Sequence, residues 1–207
     1  MRPTRIRELK MKRVVFVLFT GMLFLTSCVY SLTGIKGDGD VVSQERAASG
    51  FYGISIDGAA NVNVRHGDDY MVVVSTDNNL QEFVLVEVKN EVVHISNRHN
   101  TNLKPTQLIV DVHLPELQSI DVKGVGNVKL SDGNAPDLKI SLSGVGNIDA
   151  LNYQVENVVI TQSGVGNSKI WATNSLSGTL SGVGHISYKG DPTVDVKVSG
   201  VGKVKKQ

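Results

Sequence analysis

The chain has 207 residues, 41% hydrophobic, 20% charged and only 5% aromatic, with a formal net charge of +1. That length suits one domain with a real core. Residues 1–27 hold six bases (Arg2, Arg5, Arg7, Lys10, Lys12, Arg13) against one acid, Glu8, so the remainder carries 15 bases and 19 acids, a net of −4. A mildly acidic body argues against nucleic acid as a partner, because phosphate binding needs a basic stripe. The single cysteine, Cys28, excludes an internal disulfide framework and any cysteine-based zinc cage.

Arg2 to Arg13 form a basic region, within which Met11 is an alternative start to Met1. Val14 to Leu25 is a run of twelve mostly apolar residues. This is too short to cross a bilayer, which takes about 20 residues. A basic flank followed by a short apolar run reads as a secretory signal peptide, residues 1–27. Leu25-Thr26-Ser27-Cys28 then resembles the lipobox of bacterial lipoproteins. The resemblance implies cleavage between Ser27 and Cys28, diacylglyceryl transfer to Cys28 and acylation of its new amino group. Several acyl chains anchor far more firmly than one. The expected location is the bacterial cell envelope, at the outer membrane, on its periplasmic or its outer face. Residues 28–50, rich in Gly, Ser and charge, read as a flexible tether.

A repeat organises the second half. Gly-Val-Gly-x occurs at Gly124-Gly126, Gly144-Gly146, Gly164-Gly166, Gly182-Gly184 and Gly200-Gly202, with spacings of 20, 20, 18 and 18. Apolar and polar residues alternate before each corner, as in Ile120, Asp121 and Val122, and again after it, as in Val128 and Leu130. That period of two is the mark of a half-buried strand. One coil is therefore expected to run strand, Gly-Val-Gly corner, strand and polar return. Coils of about 18–20 residues stacked in parallel make an all-β, β-helix-like body over residues 51–207. Glycine at both corner positions lets neighbouring turns approach closely, and the central valine is expected to fill the corner of the core. Asn127, Asn147 and Asn167 take the fourth corner position, where stacking at about 4.8 Å would join their amides in a ladder.

Ile54, Ile56, Gly58-Ala59-Ala60-Asn61, Val62 and Val64 repeat this register in faded form, as expected of a capping coil. Between this copy and Gly124 lie four strand-like runs, Tyr70–Ser75, Phe83–Val88, Glu91–Ser96 and Gln107–Leu114. The order of landmarks resembles the head GIN domain family of autotransporter-type adhesins. It runs from Phe51-x-x-Ile54 through Asp77-Asn78-Asn79-Leu80 and Val93-His94-Ile95 to Pro115-Glu116-Leu117 ahead of the glycine repeat. The resemblance spans residues 51–204. It implies a right-handed β-helix-like body on a bacterial envelope protein, often a lipoprotein, and brings no catalytic residues with it.

Sites for chemistry are sparse. A dinucleotide fingerprint needs a third glycine and a following helix, whereas here a strand follows. The histidines His66, His94, His99, His113 and His185 show no metal spacing, although His94 and His99 flank one loop. Ser143, Ser163, Ser181 and Ser199 recur before the corners as letters of the repeat, and catalysis needs one nucleophile. No metal or cofactor is expected. Asp111, Asp121, Asp149, Glu156 and Asp191 are scattered, and Trp171, Tyr153 and Tyr188 are candidates for a sugar-stacking platform. The leading expectation is a non-enzymatic, lipid-anchored adhesin or surface scaffold. It would bind the membrane through Cys28 and a protein or glycan ligand through its body. The alternative is a carbohydrate-binding or carbohydrate-active envelope protein.

Overall fold

The computed structural model describes residues 34–98 and 101–207, so Ser27, Cys28 and His99 lie outside the described residues. The described chain is all-β apart from one 3₁₀ segment, Asn78–Phe83. It forms a 14-stranded sheet and a two-stranded one. Strands β1 to β9 are Ile35–Lys36, Val41–Arg46, Gly53–Ile56, Asn61–His66, Met71–Asp77, Val84–Lys89, Val92–Asn97, Leu103–Lys104 and Leu108–Leu114. Strands β10 to β16 are Ser119–Val122, Val128–Leu142, Ile148–Gln162, Ser168–Leu180, Val183–Lys189, Thr193–Val198 and Val201–Lys206.

Two parallel ladders carry the repeat. Before the corners, Ile54, Ile120, Ile140, Ile160, Gly178 and Val196 align in β3, β10, β11, β12, β13 and β15. After the corners, Val62, Val128, Ile148, Ser168, Ile186 and Val204 align in β4, β11, β12, β13, β14 and β16. The faded copy is thus a full coil in register with the others. It does not end the stack, however, because β3 also pairs with β7, and β4 with β9. Beyond it the antiparallel pairs β6–β7, β5–β9 and β2–β5 close that side.

The expected polar return is strand as well, which is why β11 and β12 each run for 15 residues. Burial in β12 falls on Ile148 and Ala150, then Tyr153 and Val155, then Val158, Ile160 and Gln162. The phase flips twice. An extra residue in a strand switches its inward face and bends it, and register breaks between Ala150 and Gln154 and between Val155 and Asn157 mark the places. Burial in β13 stays in one phase through Ser168, Ile170, Ala172, Leu176 and Leu180. The step from 20 to 18 residues per coil is therefore the loss of bulge residues, with both corners preserved.

Residues 35–46, expected within the tether, are ordered. β1 pairs with β8, and β2 pairs with β5 over six residues. Composition hid this, since β2 is mostly exposed and owes its place to partners remote in sequence. Buried Gln81 donates to the Val42 carbonyl at 2.7 Å, and Arg46 donates to the Gln81 side chain at 2.8 Å. The fully buried Asp77 carboxylate accepts the amides of Gly39 at 2.8 Å and Thr106 at 2.7 Å. Burial by itself would raise its pKa, but these hydrogen bonds outweigh burial and hold it below the ordinary value.

In one coil the core is polar. Gln162 and Ser168 stand where the neighbouring coils carry Leu142 and Leu180, and Ile148 and Ile186. Ser168 Oγ donates to Gln162 Oε1 at 2.9 Å, and Gln162 Nε2 donates to the Gly166 carbonyl at 2.7 Å. Two polar intrusions are tolerated because they satisfy each other.

Two outcomes are expected. A Cβ on Gly146 would lie 1.7 Å from the Gly126 carbonyl oxygen, and one on Gly202 equally close to that of Gly184. Gly146 is held between two coils, whereas β16 has only β14 as a partner and can shift. Denaturant unfolding should show a loss of at least about 3 kcal/mol for Gly146→Ala, at the upper end of single-substitution effects, and a clearly smaller loss for Gly202→Ala. The depressed pKa of Asp77 adds stability above the unfolded carboxyl value of about 3.9, which is lost as pH falls through the lower folded value. Asp77→Asn should lower stability at neutral pH and flatten the stability–pH curve below about pH 4.

Candidate functional site

The corners of successive coils stack into one face. At its centre the second glycine of each corner meets the backbone of the coil before it, and the chain bonds both ways. Val145 N–H donates to the Gly124 carbonyl at 3.0 Å and Gly146 N–H to the Val165 carbonyl at 2.9 Å. Isolated parallel bridges join Ala59, Val125, Val145, Val165 and Val183 in sequence. With the backbone packed so tightly, side chains here have only one way to go. Val125, Val145, Val165, Val183 and Val201 are 57%, 50%, 49%, 49% and 72% exposed. They form an outward row and do not fill the core, contrary to the expectation from sequence. Close glycine packing leaves no interior volume at the corner for a side chain.

Two further exposed rows flank the valines. Lys123, Ser143, Ser163, Ser181 and Ser199 lie on one side. On the other runs a ladder that begins one coil earlier than the three expected asparagines, at Asn61. Asn61 Oδ1 accepts the Asn127 amide at 3.1 Å and its Nδ2–H at 3.0 Å. Asn127 Oδ1 accepts the same two groups of Asn147 at 3.1 and 2.9 Å, and Asn147 Oδ1 those of Asn167 at 3.0 and 3.3 Å. His185 N–H donates to Asn167 Oδ1 at 3.0 Å and Lys203 N–H to His185 Nδ1 at 3.2 Å, so the row continues with other side chains. Beside its first rungs, the segment Pro105–Ile109 walls a groove of about 610 Å³.

A second cluster lies next to this face. Asp57 Oδ2 accepts from Ser55 Oγ at 3.3 Å and stands 3.2 Å from His94 Nδ1, while Lys123 Nζ lies 3.3 Å from Asp57 Oδ1 and 3.1 Å from Asp121 Oδ2. Burial would raise the pKa of Asp57, but hydrogen bonds from His94 and Lys123 and the lysine charge lower it. The hydrogen bond to Asp121 raises Lys123, against partial burial and with help from Asp57. The Ser55 hydroxyl is directed at the carboxylate and not at the imidazole, so no serine–histidine nucleophile forms here. Asp57 and Lys123 each stand just before the first glycine of their corner, in adjacent coils. The register of the faded copy, with Gly58 opposite Gly124, already sets Asp57 opposite Lys123, but not His94 beside them.

The other expected residues do not converge. Tyr153 is buried in the core, and Lys189 Nζ sits 3.6 Å above the Trp171 ring, so no open aromatic platform forms with Tyr188. Asp111 accepts from Asn63, Asp149 from the Leu151 amide, and Asp191 pairs with Lys206. Among the described residues no group of three His, Cys, Asp or Glu is placed to hold a metal. Asn147→Ala removes the centre of the ladder and three of its bonds while leaving the core untouched. Thermal or denaturant unfolding should show a loss of about 1–2 kcal/mol, since each rung is exposed and water replaces part of it.

The family described as "Putative auto-transporter adhesin, head GIN domain" matches residues 50–132 and 120–192. No curated protein matches the chain in sequence. Among solved structures, a "putative adhesin" of Bacteroides fragilis is similar over 84% of this chain and 100% of its own, with 21% identity and a TM-score of 0.58. A "putative adhesin" of Parabacteroides merdae covers 84% and 99%, with 20% identity and a TM-score of 0.45. A "putative lipid binding protein" of Parabacteroides distasonis covers 84% and 100%, with 22% identity and a TM-score of 0.41.

Proposed function

Because the chain belongs to the head GIN domain family of auto-transporter adhesins, we propose that it is a lipid-anchored envelope protein that binds a ligand on its repeat surface and catalyses no reaction. The observation that carries this reading is the corner face. Five valines at equivalent positions stay about half exposed or more, while the valines and isoleucines two and four residues to either side of the corners are buried in every coil but the last. Contiguous exposed apolar surface on a soluble domain marks an interaction site more often than a defect. Its valine row is the same in five successive coils and its flanking rows are the same in at least three, which suits many weak contacts along an extended partner and does not suit a reaction at a single atom.

The anchor is read from Leu25-Thr26-Ser27-Cys28, directly after a twelve-residue apolar run. Among the described residues no helix is long and apolar enough to cross a membrane. An acylated Cys28 supplies attachment without a span. The body is read as a right-handed parallel β-helix, in keeping with its in-register parallel ladders. Such a stack, attached through an acylated Cys28, would hold the corner face at the envelope. Cys28→Ala should move the protein from the membrane to the soluble fraction without altering its unfolding curve. Normal membrane fractionation of that variant would refute the anchor. Protease treatment of intact cells should degrade the body if it faces outward, and protection until lysis would place it in the periplasm.

A further inference from the structure

The hydrogen-bond inventory of the asparagine row says what kind of group it can receive. Each inner Asn Oδ1 accepts two bonds from the next rung, which uses both of its lone pairs. Each Nδ2 gives one hydrogen to the rung before and keeps a second N–H outside the ladder. At Asn127 and Asn147 the row therefore offers the solvent donors alone, one per coil at a spacing of about 4.8 Å, and at Asn167, whose Oδ1 accepts only the His185 N–H, it offers an acceptor position as well. Alongside runs an apolar row of the same period, and beyond it Lys123 followed by a row of serine hydroxyls.

The geometry points to a polysaccharide strand as the ligand, lying along the stacking axis with one sugar residue per coil. This rests on the reading of the corner face as a binding surface and names the class of its partner. Hydroxyl or carboxylate oxygens of each sugar accept from the asparagine N–H groups, and its C–H face lies on the valine methyls. An extended β-1,4-linked pyranose chain advances by close to one coil spacing per residue, each ring turned over relative to the last, so successive coils meet alternate edges of the ribbon and both edges carry acceptor oxygens. An extended peptide presents its same-face side chains every 6.4–6.8 Å or so and falls out of step within two coils. A peptide adding as a strand is also disfavoured, since the corner N–H and C=O groups are already spent between coils. The wall at Pro105–Ile109 fixes one side of the groove at Asn127 and Asn147.

The test is calorimetric titration of the full chain in detergent with hexasaccharides of β-1,4-linked glucose, N-acetylglucosamine and mannuronic acid, and with the matching disaccharides. At least one hexasaccharide should bind, and its disaccharide should bind roughly tenfold or more weakly, because fewer coils are engaged. Val145→Lys, at an exposed position, should weaken binding by about tenfold or more without changing stability. Val159→Lys, at a valine 48% exposed but off the corner face, should leave it unchanged. Absence of binding by every hexasaccharide, or an unaffected Val145→Lys protein, overturns the inference. Attachment of intact cells to a host-protein surface separates the two readings. Loss of attachment in Val145→Lys cells that bind no glycan would leave a binding face with a protein ligand, while unchanged attachment and no glycan binding would defeat both.

Discussion

Everything in the stack depends on one backbone contact. At each corner the α-carbon of the second glycine faces the carbonyl oxygen of the equivalent residue one coil earlier, so closely that a Cβ would stand 1.6–1.7 Å from it. Only glycine leaves room for this approach. With the backbones that close, the corner becomes part of the hydrogen-bonded ladder instead of a loop between ladders. The strands on either side are then held in one register. A one-residue slip would turn every buried Ile and Val to solvent.

The same contact explains which side chains go where. Packing at the corner leaves no interior space, so the valine between the glycines turns outward although valine is usually buried. The fourth corner residue also points outward, stacked directly above its counterpart, and asparagine uses that position to cap the next backbone N–H as well as the next side chain. Away from the corner the coil is free to vary. It takes up bulge residues in β12, loses them in β13, and accepts the self-satisfied Gln162–Ser168 pair in the core.

This division between a fixed corner and a variable wall bears on function. Chemistry at a single atom calls for a unique constellation, and the polar cluster around Asp57 and Lys123 among the described residues ties its charges to each other. Regularity favours a ligand that is itself regular. A surface built from one repeated element presents similar contacts at successive steps, and for a ligand that follows it affinity would accumulate with the length engaged.

Sequence alone was enough to locate the corners, the flanking strands, the faded copy at Ile54–Val64, the asparagine row and the family resemblance, because each is written as a local period in one stretch of chain. What only the tertiary structure decided were relations between distant segments. Val41–Arg46 becomes a strand through pairing with β5, and the faded copy is enclosed by β7 and β9 instead of capping the stack. Tyr153 is core and Trp171 is covered by Lys189. The outward turn of the valines belongs here too. A strand period says that alternate residues face opposite ways, but not which way a residue faces at a corner, and that is decided by the space the neighbouring coil leaves.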